Sequence, residues 1–255
     1  TMTMTNASTT TGTITINGGG LTLKDDGTLS GAGGIGVRFS TLTVDNTGAK
    51  DMVDRVNDAA PVTLDGGTIG FNGRASTASF ETNGTVTARS ALSAMTATPG
   101  ASGSVELTLT SLIRNAGATL RLDGQNLGTA GNNGRIFVSG GYASFTGNLA
   151  PVPSVNGVIP GVFRGVNGTM YGAVGYVDAL GFGTVGTAGG FPGIYGGGAL
   201  SAATSVDNVT SPTAWVVRSG GQTINSLARG GNVTFVNDTD VLVIGSGMTW
   251  QGSES

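Results

Sequence analysis

Residues 105–122 read VELTLTSLIRNAGATLRL, and apolar side chains alternate with polar ones in this segment. The alternating apolar positions are Val105, Leu107, Leu109, Leu120 and Leu122. A period of two is typical of a strand with one buried face, because successive side chains point to opposite sides. The sequence Asn-Ala-Gly at 115–117 favours the left-handed backbone angles of a tight corner. The segment therefore predicts a short strand, a corner and a second short strand.

Similar units recur along the chain, at 14–23, 62–71 and 224–235, where glycine again separates two apolar pairs. Equivalent apolar positions recur about every 20 residues, as from Leu42 to Val62 and from Val86 to Leu107. A strand–helix–strand unit needs about 30 residues, and a hairpin period is about 8–12. The interval therefore predicts an all-β solenoid of short parallel strands with 20–22 residues per turn. Phe80 is one of the side chains predicted to point inward.

The composition excludes several classes of function. The 255 residues include 47 glycines, carry a net charge of −3 and contain neither cysteine nor histidine. Without a basic run, no nucleic-acid partner is expected. Without cysteine or histidine, disulfides, thiolate metal sites and nucleophile–histidine catalysis are excluded. The sequence has no apolar run of roughly 18 residues, so no membrane-spanning helix is expected. Because no signal peptide is visible, we interpret the chain as a processed product or a piece of a longer precursor.

The solenoid pattern divides the chain into three parts. We predict solenoid turns at 1–139, a loop-rich insertion of irregular turns at 140–212, and final turns with a polar tail at 213–255. The insertion holds most of the aromatic residues, and Asn-Gly at 167–168 predicts a hairpin turn inside it. Candidates for a subunit or ligand contact are Tyr142, Phe163, Tyr171, Tyr176, Phe191 and Tyr195. The alternative is that these rings form the core of the insertion.

The densest charge lies in residues 46–58, which we interpret as a solvated surface loop. Many β-helices cleave polysaccharides, and carboxylates would serve that chemistry. The local cluster available is Asp51, Asp54, Arg55 and Asp58. These residues are neighbours in sequence, whereas a coil gathers a site from successive turns. We therefore predict no catalytic residue.

Two pairs of acidic residues are candidates for calcium, Asp25 with Asp26 and Asp238 with Asp240. The Gly-Gly-x-Gly-x-Asp nonapeptide of calcium-binding solenoids is absent. Aspartates that bond the backbone of their own turn are the commoner explanation. No metal or other cofactor is therefore expected.

The pattern resembles the autotransporter-associated β-strand repeat proteins of bacteria. The segments that carry the resemblance are Thr41–Asn46, Val62–Ile69, Leu112–Leu120, Asn126–Arg135 and Thr223–Leu227. The resemblance implies a right-handed parallel β-helix that is exported to the cell surface or beyond. An uncapped coil end would also invite pairing with another strand.

These observations lead to one expected function and one alternative. We expect a non-enzymatic extracellular structural or adhesive protein that self-associates into a fibre or array, with a glycan or cell-surface component as a further partner. The alternative is a carbohydrate-active β-helix enzyme.

Overall fold

The computed structural model describes residues 1–147, 158–166, 169–184, 198–210, 214–228, 231–245 and 247–250. Within these ranges the chain is all-β, with two short 3-10 turns at Gly141–Ser144 and Leu200–Ala202 and no α-helix. The first strands are β1 (Met2–Met4), β2 (Thr13–Asn17), β3 (Gly20–Lys24), β4 (Gly34–Arg38), β5 (Thr41–Asp45), β6 (Val62–Asp65), β7 (Thr68–Asn72), β8 (Ala78–Ser90), β9 (Leu92–Thr98), β10 (Ser104–Arg114), β11 (Thr119–Gly124) and β12 (Gly134–Val138).

The later strands are shorter. They are β13 (Phe145–Gly147), β14 (Val162–Val166), β15 (Thr169–Val177), β16 (Gly181–Thr184), β17 (Asn208–Thr210), β18 (Val216–Val217), β19 (Gln222–Ile224), β20 (Ser226–Ala228), β21 (Thr234–Phe235), β22 (Leu242–Ile244) and β23 (Thr249–Trp250).

Successive strands alternate between two sheets. One sheet has the order β1-β3-β5-β7-β9-β11-β14-β15-β16, and the other has the order β2-β4-β6-β8-β10-β12, with β13 also paired to β10. Up to β14 every pairing in both sheets is parallel. From β1 to β10, each strand therefore pairs with the second strand after it, because the chain forms a strand of the other sheet in between.

The parallel register stacks apolar side chains in columns. One buried column runs through Leu21, Leu42, Ile69, Met95 and Leu122, and another runs through Ile35, Val62, Val86 and Leu112. Burying each such side chain contributes about 1.5–3 kcal/mol relative to exposure. The core between the two sheets is continuous because each column passes through neighbouring strands.

The register corrects the spacing predicted from the sequence. Leu42 aligns with Leu21 and Ile69, not with Val62. Val86 aligns with Leu112, not with Leu107. Partners lie 19 to 21 positions apart at the first intervals and 24 to 29 apart at the later ones up to β12, because the corners hold loops of unequal length.

The strand–corner–strand prediction for 105–122 is confirmed by β10 and β11. Gly117 has φ +76 at the corner, which glycine adopts without steric cost. Leu109 and Leu112 are both buried. The inward side chains of β10 are therefore at odd positions up to Leu109 and at an even position at Leu112. The prediction that Phe80 points inward was wrong: its side chain is exposed, because the next residue, Glu81, takes the buried position.

The pattern changes beyond β11. β14, β15 and β16 pair antiparallel, and Val166 faces Thr169 across the first hairpin. This pairing fits the hairpin predicted at 167–168, although those two residues lie outside the described ranges. Phe145, Tyr176 and Phe182 are buried together here and form the last layer of the first core.

Residues 198–250 form a second, smaller set of parallel pairs. β20 pairs with β17 and β23, while β18 pairs with β21 and β19 with β22. Its own core consists of Leu200, Ala203, Val209, Val217, Ile224 and Leu227. Met248 packs against Val158 and Ala173 and so contacts the first set. In the ranges that are described, no helix has the length and apolar character needed to cross a bilayer.

Candidate functional site

Among the aromatic residues proposed from the sequence, Tyr176 has a side chain whose surroundings the structure describes in detail. Tyr176 is buried, and its hydroxyl donates to the Val138 carbonyl at 2.8 Å and accepts from the Val138 N–H at 3.0 Å. Its ring meets Phe145 and Phe182 edge-on, with centroids 5.3 and 5.0 Å apart. Such pairs prefer this geometry, so Tyr176 occupies a core position.

Three of the other five candidates fall within the described residues. Phe163 is partly buried against Val158 and Ala173. Tyr142 lies in the 3-10 turn before β13, and Tyr171 lies in β15. Phe191 and Tyr195 lie outside the described residues.

The charged segment 46–58 is anchored from inside. The Arg55 side chain is fully buried, which is contrary to the solvated loop expected from the sequence. Its guanidinium donates to the Asn46 side-chain oxygen at 2.6 Å and to the carbonyls of Gly27 at 2.9 Å and Lys50 at 3.2 Å. A buried cation is tolerated only when it is paired and hydrogen-bonded, and this network meets that requirement.

Glu81 holds the same segment from the other side. Its buried carboxyl group accepts the backbone N–H of Val56 at 2.9 Å and that of Arg55 at 3.2 Å. Burial raises the pKa of Glu81 to about 8; the two N–H groups oppose this rise, and Asp58 and Asp54 add to it. A strongly shifted carboxyl is a candidate catalytic group in general. Here the group is enclosed beneath the loop, so it acts as an anchor.

The carboxylates of the enzyme hypothesis do not converge. Asp54 and Asp58 are exposed, whereas Asp51 accepts a hydrogen bond from Asn46 within its own loop. Partial desolvation, together with the nearby charge of Asp54, raises the pKa of Asp58. The arrangement gives no pair of carboxylates facing a common groove.

Three of the calcium candidates bond segments 20 to 24 positions away, and Asp240 also bonds its own turn. Asp25 accepts the Ala49 N–H at 2.6 Å, and Asp26 pairs with Lys50. Asp240 accepts the N–H groups of Asn237 at 2.7 Å and Gly220 at 2.8 Å. Over the described ranges, no group of three or more acidic side chains is placed to hold a metal ion.

A polar groove lies on the outer face of the sheet that contains β4, β6 and β8. Its volume is about 380 Å³, and its lining includes Thr13, Thr15, Gly34, Gly36, Arg38, Pro61, Thr63, Asp65 and Arg89. These residues come from successive strands whose partners lie 21 to 27 positions apart, so no local motif marks them. These residues can be recognised as neighbours only when the pairing register of the strands is known.

Asp65 organises the charges of this groove. Two nitrogens of Arg89 bond its two oxygens, the first pair at 2.7 Å, and Ser90 adds a bond at 3.0 Å. These two residues reach Asp65 because the register shifts between Leu64 and Asp65, and such irregularities redirect side chains. The hydrogen bonds from Arg89 lower the pKa of Asp65, with smaller contributions from Ser90 and Arg38.

The two extremes of the strand stack have open edges. Among the described strands, β1 pairs with β3 alone and β2 with β4 alone. Met2 is exposed, and Ile14 and Ile16 at the end of the first core are only partly buried. At the other extreme, β21 and β22 are edge strands, and the nearby exposed apolar side chains are Phe235, Val236, Val241 and Val243.

Comparison of the chain with protein-family models, curated proteins and solved structures gives no match.

Proposed function

We propose that the chain is a right-handed parallel β-helix that serves as a non-enzymatic structural or adhesive element on a bacterial surface. In this proposal the two alternating sheets are faces of one coil, and copies of the coil join end to end into a fibre or array. The in-register parallel pairing from β1 to β14 supports the coil. The surface location rests on the resemblance described above and remains a prediction.

The open edges carry the proposal of assembly. An unpaired strand presents a row of N–H and C=O groups that another strand can bond. β2 is such a strand, and its own side chains Ile14 and Ile16 pack, partly buried, against the core. A second copy placed on this edge would cover both apolar side chains and continue the column that starts at Ile14.

The described acidic residues support a non-enzymatic role. Glu81 is enclosed, and Asp65 is occupied by Arg89 and Ser90. An acid–base pair needs groups within reach of a substrate proton. Neither carboxyl meets this condition in its present contacts.

Assembly is tested by analytical ultracentrifugation and electron microscopy of the chain and of Ile14→Lys. We expect concentration-dependent growth into filaments for the unmodified chain. Ile14→Lys should stay monomeric, because a charge at the coil end opposes stacking. The matched control is Thr43→Lys, on β5, which already has partners on both sides. A chain that stays monomeric at every concentration, or an Ile14→Lys variant that assembles normally, would refute the proposal.

A further inference from the structure

The groove bounded by Arg38, Asp65 and Arg89 has features of a ligand site. We infer that it binds an acidic saccharide, with a uronic-acid carboxylate held by the Arg38 guanidinium and the sugar ring lying over Gly34 and Gly36. This inference deepens the adhesive part of the proposed function and does not depend on end-to-end assembly.

Of the three charged residues in the groove, one cation is available to bind a ligand. Asp65 bonds Arg89 through both carboxylate oxygens, so these two charges are matched. Arg38 approaches Asp65 only at 3.7 Å through Nε, and about half of its side chain is exposed. Its remaining guanidinium nitrogens form a planar fork of donors, which fits a carboxylate with two parallel hydrogen bonds. The groove therefore carries one net positive charge, the complement of one carboxylate.

Asp65 also gives this cation a fixed position. Its side chain is nearly buried and is held by Arg89 and Ser90. Arg38 is therefore attracted to a carboxylate that is itself held in place. This attraction reduces the conformational entropy that the Arg38 side chain loses when a ligand binds.

The floor of the groove is backbone. Gly34 and Gly36 in β4 lie between Thr13 and Thr15 of β2 and Pro61 and Thr63 of the β6 side. A Cβ atom at Gly36 would lie 3.7 Å from the Thr15 hydroxyl oxygen, an ordinary contact distance. The missing side chains, and not a steric requirement of the fold, therefore create the depression.

The walls explain why we choose a saccharide. Thr13, Thr15 and Thr63 line the groove, and a threonine hydroxyl can both donate and accept a hydrogen bond. A polyhydroxylated ring matches such walls, whereas the Pro61 ring offers an apolar surface to its C–H groups. A volume of about 380 Å³ falls within the range of small-ligand sites.

Isothermal titration of the full chain with trigalacturonic acid tests the inference, with maltotriose as the neutral probe. We expect binding of the acidic trimer and none of the neutral one. Arg38→Gln should weaken binding about tenfold or more, because it removes a charged hydrogen-bond donor. Gly36→Val should abolish binding by filling the groove while leaving the unfolding transition in place. Arg218→Gln, which changes an exposed arginine elsewhere, is the matched control.

Each result decides for or against the inference. Equal binding of both sugars, no binding of the acidic trimer, or unchanged binding by both groove variants would overturn it. Inorganic phosphate or an acidic peptide that binds as tightly as the trimer would also overturn it. Ile14→Lys provides the separation from assembly: this variant should bind the trimer like the unmodified chain, so failed stacking and failed binding are read independently.

Discussion

At the scale of single residues, Glu81 is the most consequential side chain. Its usual pKa of 4.5 is raised to about 8 in the fold, chiefly by burial. Between these values the folded chain retains a proton that the unfolded chain has lost, so a rise in pH favours unfolding. We expect the free energy of unfolding to fall from pH 5 to pH 8, by at most about 1.4 kcal/mol per pH unit. Denaturant titrations across this range measure the slope.

Glu81→Gln provides the decisive comparison, since glutamine has the shape of the protonated acid and does not titrate. The free energy of unfolding of this variant should change less between pH 5 and pH 8 than that of the unmodified chain. Glu106→Gln is the control, because Glu106 is only half-buried and pairs with Arg135 at 2.9 Å. If Glu81→Gln keeps the full slope, the anchor is not the source of the pH dependence.

Below about pH 4 the free energy of unfolding should also decline, because the lowered pKa of Asp65 stabilises the fold only while that group is ionised.

At the scale of elements, the corners between the two sheets repeat one backbone state. Gly18, Phe39, Gly66 and Ala91 all have positive φ, and the N–H of Gly66 bonds the Ser90 carbonyl at 3.1 Å. A residue with a Cβ in this state costs about 1–2 kcal/mol. Gly66→Ala should therefore lower the free energy of unfolding by about that amount, and its Cβ would also press on the Phe39 ring.

The reverse change should stabilise the chain. Ala91→Gly relieves the same strain at an exposed position, and the greater freedom of glycine in the unfolded chain offsets part of the gain. We expect the free energy of unfolding to increase by about 0.5 kcal/mol, as measured by thermal or denaturant unfolding. The control is Ala116→Gly, at an exposed corner residue without positive φ, which should destabilise by about 0.5–1 kcal/mol. Equal effects at both positions would contradict the role assigned to the left-handed corner.

The elements also show what the sequence could predict. Alternation identified the strands around Leu107 and Leu120, because burial of one face imposes a period of two. It could not predict that Leu42 pairs with Ile69, since the intervening corner segment has no fixed length. The burial of Arg55 was missed because two of its three acceptors are backbone carbonyls, which no residue type in the sequence identifies.

The groove was missed for a related reason. Arg38, Asp65 and Arg89 are separated by more than 20 positions each and meet only through strand register. Each looks like an ordinary charged residue in its local sequence. The pairing of the strands in register brings the three side chains together.

At the scale of the whole molecule, stability should vary along the stack. In a chain of nearest-neighbour layers each strand depends on the two beside it, so an open end should unfold locally more readily than the middle. β2 has one partner and only partly buried Ile14 and Ile16, whereas β6 has two partners and buried Val62 and Leu64. Hydrogen exchange of the non-assembling Ile14→Lys variant should therefore be faster in β2 than in β6 to β9.

Assembly should remove this gradient at one end. When a second copy bonds the open edge, the amides of β2 acquire partners, and their exchange should slow towards that of β6. The measurement compares assembled unmodified chain with the monomeric Ile14→Lys variant, and β6 serves as the internal reference because its environment is the same in both. Slowed exchange in β2 with no change in β6 is the result that end-to-end stacking requires. Exchange that slows instead across the outer face of the sheets would show that copies associate side by side.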